Sequence, residues 1–368
     1  MPGGLFDRGR LHFLPLGERR NKVDIERDRV SPDAPPAALA PAAREAAAEA
    51  ASTLRRAREG GHAAILAFGA HAVKNGLAPV LIRLIERGWL THLATNGAGI
   101  IHDWEFAYQG ASSEDVRENL GRGQFGLWQE TGLYLNLALA VGAREGLGYG
   151  EAVGKLVHRD GLDIPGEREL VAEVCSAGDP EAAAAAADLL AVVRGLRLPP
   201  GFLEVRHPWK RFGLQAAAFR LGVPFTAHPM FGHDIIYAHP ASSGAAIGRT
   251  AERDFLRFAG SMQGLSRGVY LSVGSAVMSP MIFEKALSMA RNVAQQEGGG
   301  IEGFRILVVD LAPMAWDWQR DGEPPPENPA YYLRFLKTFS RAGADVRYIQ
   351  ADNRAFLAGL SRELDAQT

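Results

Sequence analysis

The chain reads as an α/β protein in which a mostly parallel sheet is sandwiched between helices, and three observations predict it. Short apolar runs recur at 62–68, 90–95, 202–205, 223–227, 268–273, 305–309 and 346–349. They are continuous rather than alternating, as expected of strands buried on both faces. Segments of helical period separate them, which is the spacing that parallel crossovers need. The first two runs lead into glycine-bearing turns, at Gly69 and Gly97.

Residues 1–35 mix charge with proline and glycine and show no sustained period, so they are expected to form an arm outside the core, able to wrap a neighbouring subunit. Residues 36–368 are read as one domain, without internal repeat or separating linker. Within it, 37–58 is rich in alanine, arginine and glutamate and predicts a long helix, stopped by Gly60 and Gly61. The run 62–68, a helical stretch to Glu86 and the run 90–95 make one β-α-β unit. An insert, 105–198, looks mainly helical, with the alanine run 182–187 as helix filler.

Composition narrows the function. The 368 residues carry a formal net charge of −2, and the pI is near 6.6, so nothing suggests a surface for nucleic acid or an anionic membrane. No apolar stretch of about 18 residues free of charge occurs. The lone Cys175 permits no intrachain disulfide and reads as a small buried thiol in a reducing compartment. Together these imply a soluble cytoplasmic protein that handles a small molecule.

In a parallel sheet the turns leaving the carboxyl ends of the strands gather on one rim. The candidates there are Gly69-Ala70-His71, the bend Thr95-Asn96-Gly97-Ala98-Gly99, Gly232-His233-Asp234, Gly274-Ser275-Ala276, Asp310 and Ala351-Asp352-Asn353. Small residues at 95–99 let main-chain N–H groups approach a phosphate or ribose. A plain tight turn explains the bend equally well, because the G-x-G-x-x-G spacing and a Walker lysine are both missing. His228, His233, Asp234 and His239 fall close together, with His71 and His102-Asp103 at earlier tips. His228, His233 and Asp234 could ligate a metal, but the spacing fits no compact motif, and hydrogen bonding around a polar ligand is the favoured role. Lys74, Lys285 and Lys337 are candidate nucleophiles on helices, and Lys337 stands out for its neighbours Tyr331, Tyr332, Phe335 and Phe339.

From TNGAGIIHD onward the sequence resembles the deoxyhypusine synthase family, whose matching turn is a Thr-Thr-Ala-Gly-Gly stretch. The resemblance continues in family order through 223–239, GVYLSVGSAVMSPM at 268–281, PAYYLRFLK at 329–337 and VRYIQADN at 346–353. It implies a Rossmann-like sheet binding NAD, a homo-oligomer (a dimer, or a tetramer built from dimers) and active sites between paired subunits. On the matching positions, Thr95, Asn96, Gly97, Ala98, Gly99, Gly274, Ser275 and Asp352 would approach NAD. His239 and Asp103 would lie near the substrate, and Lys337 would form an imine with an aminobutyl group; the rim turns themselves add His71, His233 and Asp234 as expected substrate contacts. The family's paired acids after the glycine turn are Ile101 and His102 here, with Asp103 retained. The acid before the lysine is Tyr331, and the family's tryptophan is Phe335. These exchanges point to a less cationic ligand than a polyamine.

Three functions follow as expectations. The first is an NAD-dependent transferase acting on an amine or polyamine through Lys337. The second is an enzyme of the same fold using His102, His228, His233 and His239, with or without a metal, on a nucleotide-like or anionic small molecule. The third is a ligand-binding protein without catalysis.

Overall fold

The computed structural model describes residues 4–35, 37–176, 178–314 and 316–366. The first three residues of the expected arm and Pro36 lie outside them. Six strands, β1 (Ala64–Phe68), β2 (His92–Thr95), β3 (Phe225–Ala227), β4 (Val269–Val273), β5 (Arg305–Asp310) and β6 (Asp345–Gln350), form one sheet. Every pairing in it is parallel. The spatial order is β6-β5-β4-β1-β2-β3. The chain thus starts at the centre, winds outward to β3, then returns beside β1 and winds the other way. That is the doubly wound order, and its reversal lies between β1 and β4.

The side-chain period of two explains why these strands are apolar throughout. In β1, Leu66 and Phe68 enter one core, while Ile65 and Ala67 enter the other. Helices α1 (Pro41–Glu59), α2 (Ala78–Glu86) and α3 (Gly97–Gln109) cover the first face. The insert helices α4 (Gln129–Arg144) and α5 (Tyr149–Arg159), with α6 (Leu214–Leu221), extend the same core. Helices α7 (Gly244–Met262), α8 (Met278–Gln296) and α9 (Arg334–Ser340) cover the opposite face, where Tyr270 packs with Phe258, Phe283 and Phe339. Helix α10 (Asn353–Asp365) returns to the first face against α1.

Three sequence expectations change. The run 202–205 is not a strand of the central sheet: Gly201–Glu204 pairs antiparallel with Gly161–Ile164 on the outside of the insert. Its Phe202 is 51% exposed, so Gly201–Glu204 lacks the burial that a central strand requires. The N-terminal segment packs onto its own chain: Leu16 and Ile25 are fully buried, and Asn21–Asp24 pairs antiparallel with Ala111–Glu114. Cys175 is exposed, not buried, because Leu170 is the buried residue of its helix, Glu167–Ser176.

Two buried carboxylates tie the helices together, and one of them ties the insert to the sheet. Asp103 of α3 accepts hydrogen bonds from the amides of Leu214 and Gln215, both at 2.9 Å, and so caps α6. Asp254 of α7 accepts from Ala227 N at 2.7 Å and from Gly150 N at 2.9 Å, joining β3 to α5. Gly150 also lies so close to the Phe225 carbonyl that an added Cβ would stand 2.0 Å from it. At the point of strand reversal, a Cβ on Gly69 would stand 2.1 Å from the Gly274 carbonyl. Gly69→Ala should therefore lower the unfolding free energy by about 1–3 kcal/mol in a urea titration. Gly195→Ala, in the helix Pro180–Leu196 with open space around it, should instead raise it by about 0.5–1 kcal/mol.

Candidate functional site

The bend after β2 is built from contacts that only small residues permit. Thr95 Oγ1 donates to the Phe68 carbonyl at 3.0 Å, tying the tip of β2 to β1. A Cβ on Gly99 would stand 2.3 Å from that hydroxyl. Asn96 caps α3, its side chain accepting from Gly99 N at 3.0 Å. On Gly97 rests the carboxylate of Asp234, which a Cβ would meet at 2.2 Å. The bends at 95–103 and 232–239 therefore touch.

Below this contact opens a cavity of about 270 Å³. Ala98, Ile101, His102 and Glu105 of α3 line one wall, spaced as neighbours on a single helix face. His233, Asp234 and Ile235 come from the loop after β3, and Lys74 from the short helix Ala70–Lys74, which packs on α3. Arg19, Lys22, Ser113, Glu114, Val116 and Phe125 close the outer side. Glu114 holds that rim, accepting from Gly126 N at 3.1 Å and Asn119 Nδ2 at 2.7 Å.

A polar chain runs behind the wall. Arg19 grips Glu105 through both terminal guanidinium nitrogens, at 2.8 and 2.6 Å, and both side chains are buried. Thr131 Oγ1 donates to the same carboxylate at 3.0 Å. Burial alone would raise the Glu105 carboxyl, but the Arg19 charge and hydrogen bonds outweigh it and hold it below its ordinary value. The carboxylate can only accept, so Ser112 Oγ, at 2.5 Å from it, must donate its single proton there. His102 Nδ1 lies 2.7 Å from Ser112 Oγ and must therefore be the donor to it. This fixes the tautomer: Nδ1 carries the proton and Nε2 keeps a lone pair. Burial drives the ring's pKa down to about 4, so it is neutral at rest.

Three charged groups lining the cavity, Glu114, Asp234 and Lys74, have no ionic partner among the described residues, and of these Glu114 is already met by the Gly126 and Asn119 donors. Asp234 is met by the Tyr237 hydroxyl at 3.3 Å and by no lysine or arginine, and burial raises its carboxyl to about 6. Lys74 makes no salt bridge among the described residues.

The structure thus gathers Ala98, His102, His233, Asp234 and Lys74 at one cavity, with Thr95, Asn96, Gly97 and Gly99 at its edge and His71 exposed on the neighbouring helix. Gly274, Ser275 and Asp352 lie farther along the rim, around the strand reversal. There Gly274 is left-handed at φ 56°, and a Cβ on it would stand 2.2 Å from Asn353 Nδ2. Ser275 Oγ accepts from Ser279 N at 3.1 Å, and Asp352 caps α10. Asn353 Oδ1 is buried there without a hydrogen-bond partner.

Four expected residues lie elsewhere. Asp103 points away from the cavity and is occupied in capping α6. His239 is wedged against Gly132 and the Phe13 ring, its Nδ1 accepting from Ala241 N at 3.1 Å. Lys337 stands on the face of the sheet opposite α3, its Nζ 3.3 Å from the centre of the Tyr331 ring. His228 turns toward Phe258 of α7, and among the described residues no three His, Cys, Asp or Glu side chains converge as metal ligands. The proposed metal set of His228, His233 and Asp234 is therefore not assembled. Arg19, Glu105 and Ser112 escaped the sequence reading. Glu105 had a legible signal, one turn beyond His102 in IIHDWE, whereas Arg19 sits in a segment without period.

No family model matches the chain, and no curated protein does. Among solved structures it is similar to apo ArgZ, an arginine dihydrolase from the ornithine-ammonia cycle in cyanobacteria. That likeness has 14% identity and a TM-score of 0.43, over 88% of this chain and 33% of that one. It is also similar to unliganded AgrE, at 16% identity and a TM-score of 0.46, over 90% and 34%. The ternary complex of AgrE with ornithine and NAD+ matches at 15% identity and 0.45, over 90% and 34%. The chain spans about a third of the length of these proteins. At scores this low the likenesses carry no argument about chemistry, which rests on the residues themselves.

Arg19→Met would leave the Glu105 charge buried and alone, and should cost about 3–5 kcal/mol in urea unfolding, with partial recovery on adding Glu105→Gln. His102 has a folded pKa of about 4 against 6.5 for an unperturbed histidine, so between these values the unfolded chain binds a proton that the folded one refuses. Its contribution therefore makes stability fall as pH drops from 6.5 toward 4, by at most about 1.4 kcal/mol per pH unit. His102→Gln should flatten that slope.

Proposed function

We propose that the chain is an NAD-dependent enzyme acting on a small amino compound, with the dinucleotide along the rim at the reversal between β1 and β4 and the substrate in the cavity beside α3. The observation that carries this is that Lys74 and Asp234 face one cavity without an ionic partner, while the third unpaired charge there, Glu114, is held by two hydrogen bonds. A half-buried carboxylate without a cation is costly, and a ligand bearing an ammonium and a carboxylate satisfies both groups at once. A polyamine would set a second cation against Lys74, so an amino acid fits better than the polyamine of the deoxyhypusine synthase-like reading.

The rim residues fit a dinucleotide in kind. The amides of Gly69 and Gly274 are taken by the Val273 and Val309 carbonyls, so the main-chain donors on offer are those of Ala70 and Ser275, and the orphaned Asn353 Oδ1 lacks a donor that a ribose hydroxyl or amide would bring. When bound, NAD would supply a hydride acceptor for the carbon bearing the amine. Asp234 holds the ammonium. His102 Nε2 takes a proton from it, leaving the free amine whose lone pair favours loss of hydride from the adjacent carbon. The imidazolium formed is supported through Ser112 by the Glu105 carboxylate. In the transferase form of this reading, Lys74 takes the imine-forming place first given to Lys337, because Lys74 is the lysine that lines the cavity beside His102 and Asp234.

Calorimetry with NAD, then with an α-amino acid series in its presence, tests the reading. NAD should bind first and strengthen binding of the amino acid. Lys74→Met should weaken the amino acid by about 10–100-fold, worth about 1.4–3 kcal/mol, and leave NAD binding intact. His102→Gln should preserve binding and cut the rate of NADH formation by about 10²–10⁴-fold. Tight binding with no NADH formed from any amino compound would establish the non-catalytic alternative, and failure to bind NAD would overturn the proposal.

A further inference from the structure

A second polar chain crosses the sheet on the face opposite the cavity. His92 opens β2, Thr226 is the middle residue of β3, His228 follows the last residue of β3, and Ser261 lies in the last turn of α7. Ser261 Oγ is 2.8 Å from His92 Nδ1, His92 Nε2 is 2.9 Å from Thr226 Oγ1, and Thr226 Oγ1 is 3.0 Å from His228 Nε2. His92 and Thr226 have no exposed surface, while Ser261 and His228, at the two ends, are half-buried. Phe258 seals the middle, edge-on to both rings at 5.4 and 5.3 Å.

Burial drives both imidazoles far down, to about 3, so each is neutral. Arg257 of α7 opposes an extra proton on His92 and is itself paired with Glu151 at 2.6 Å. A neutral imidazole offers one donor and one acceptor, and a hydroxyl donates once. The Thr226 hydroxyl has one proton and three neighbours, the two Nε2 atoms at 2.9 and 3.0 Å and the Leu93 carbonyl at a longer 3.5 Å; with the proton on one of the shorter contacts it donates to one Nε2 and accepts from the other, in two arrangements. In one, Ser261 donates to His92 Nδ1, His92 Nε2–H to Thr226, and Thr226 to His228 Nε2, with His228 protonated on Nδ1. In the other, every donor and acceptor is exchanged.

We propose that Ser261, His92, Thr226 and His228 form a proton relay linking the end of α7 to the carboxyl rim of the sheet. Conversion of the first arrangement to the second releases a proton from His228 Nδ1 at the rim. His228 Nε2 gains one from Thr226, Thr226 one from His92 Nε2, His92 Nδ1 one from Ser261, and Ser261 one from solvent. Each proton along the chain shifts by one bond, one enters and one leaves, and no charge is stranded inside. Reversal carries a proton from the rim outward. The relay does not depend on the proposed function, because none of its four residues lines the cavity beside α3. Its existence is a property of the resting protein.

Long-range proton–nitrogen NMR of protein labelled with ¹⁵N-histidine tests it without substrate or NAD. In the native chain the ring nitrogens of His92 and His228 should both show shifts averaged between the two neutral tautomers. Thr226→Val, nearly isosteric but without the hydroxyl, should leave each ring in a single tautomer, and Thr226→Ser should restore averaging. If the valine variant does not fold, the native and serine proteins decide alone. One fixed tautomer on each ring in both would overturn the relay. A failure to bind NAD would leave these spectra unchanged, so the two proposals fall separately.

Discussion

The buried pair between Arg19 and Glu105 is the constraint on which the site depends. Two charges taken out of water are tolerable only with good geometry and extra hydrogen bonds. Here the guanidinium is bidentate, and Thr131 and Ser112 occupy the remaining carboxylate valence. The pair ties the N-terminal segment to α3 and, through Ser112, decides which nitrogen of His102 is basic. Folding of the outer segment and the protonation state of the cavity wall are therefore one event.

Close backbone approach is the second organising theme. Gly97, Gly99, Gly69 and Gly274 each stand where a methyl group would strike a neighbour. The bends are thus shaped first by their contacts with one another, and a ligand meets a rim already drawn together. Asp234 shows the consequence: its carboxylate lies over the first turn of α3, where the positive end of the helix dipole favours it and offsets part of the cost of burial.

The fold was legible because strands covered on both sides must be apolar at every position, and the central strands announced themselves as such runs after the helix 37–58. The run 202–205 misled because length and apolarity do not reveal which surfaces a strand will find. The 95–99 and 232–234 bends were legible from glycine and polar residues at strand ends. What stayed hidden was set by tertiary partners. Asp103 looked like a site acid until α6 supplied amides for it to cap, and Lys337 looked special for aromatic neighbours that serve the opposite core. Arg19 was invisible because one charged residue in an irregular segment carries no period from which burial can be inferred.

The short strand β3 and the six-residue strand β6 bound the sheet. Along β3, α5 presses its glycine onto the Phe225 carbonyl, leaving no width for another main chain. Lateral growth of the sheet, whether by a tail or by a neighbouring molecule, is therefore directed to the β6 side alone, and any higher assembly built by continuing the hydrogen-bond ladder would carry its cavities at the far ends rather than at the seam.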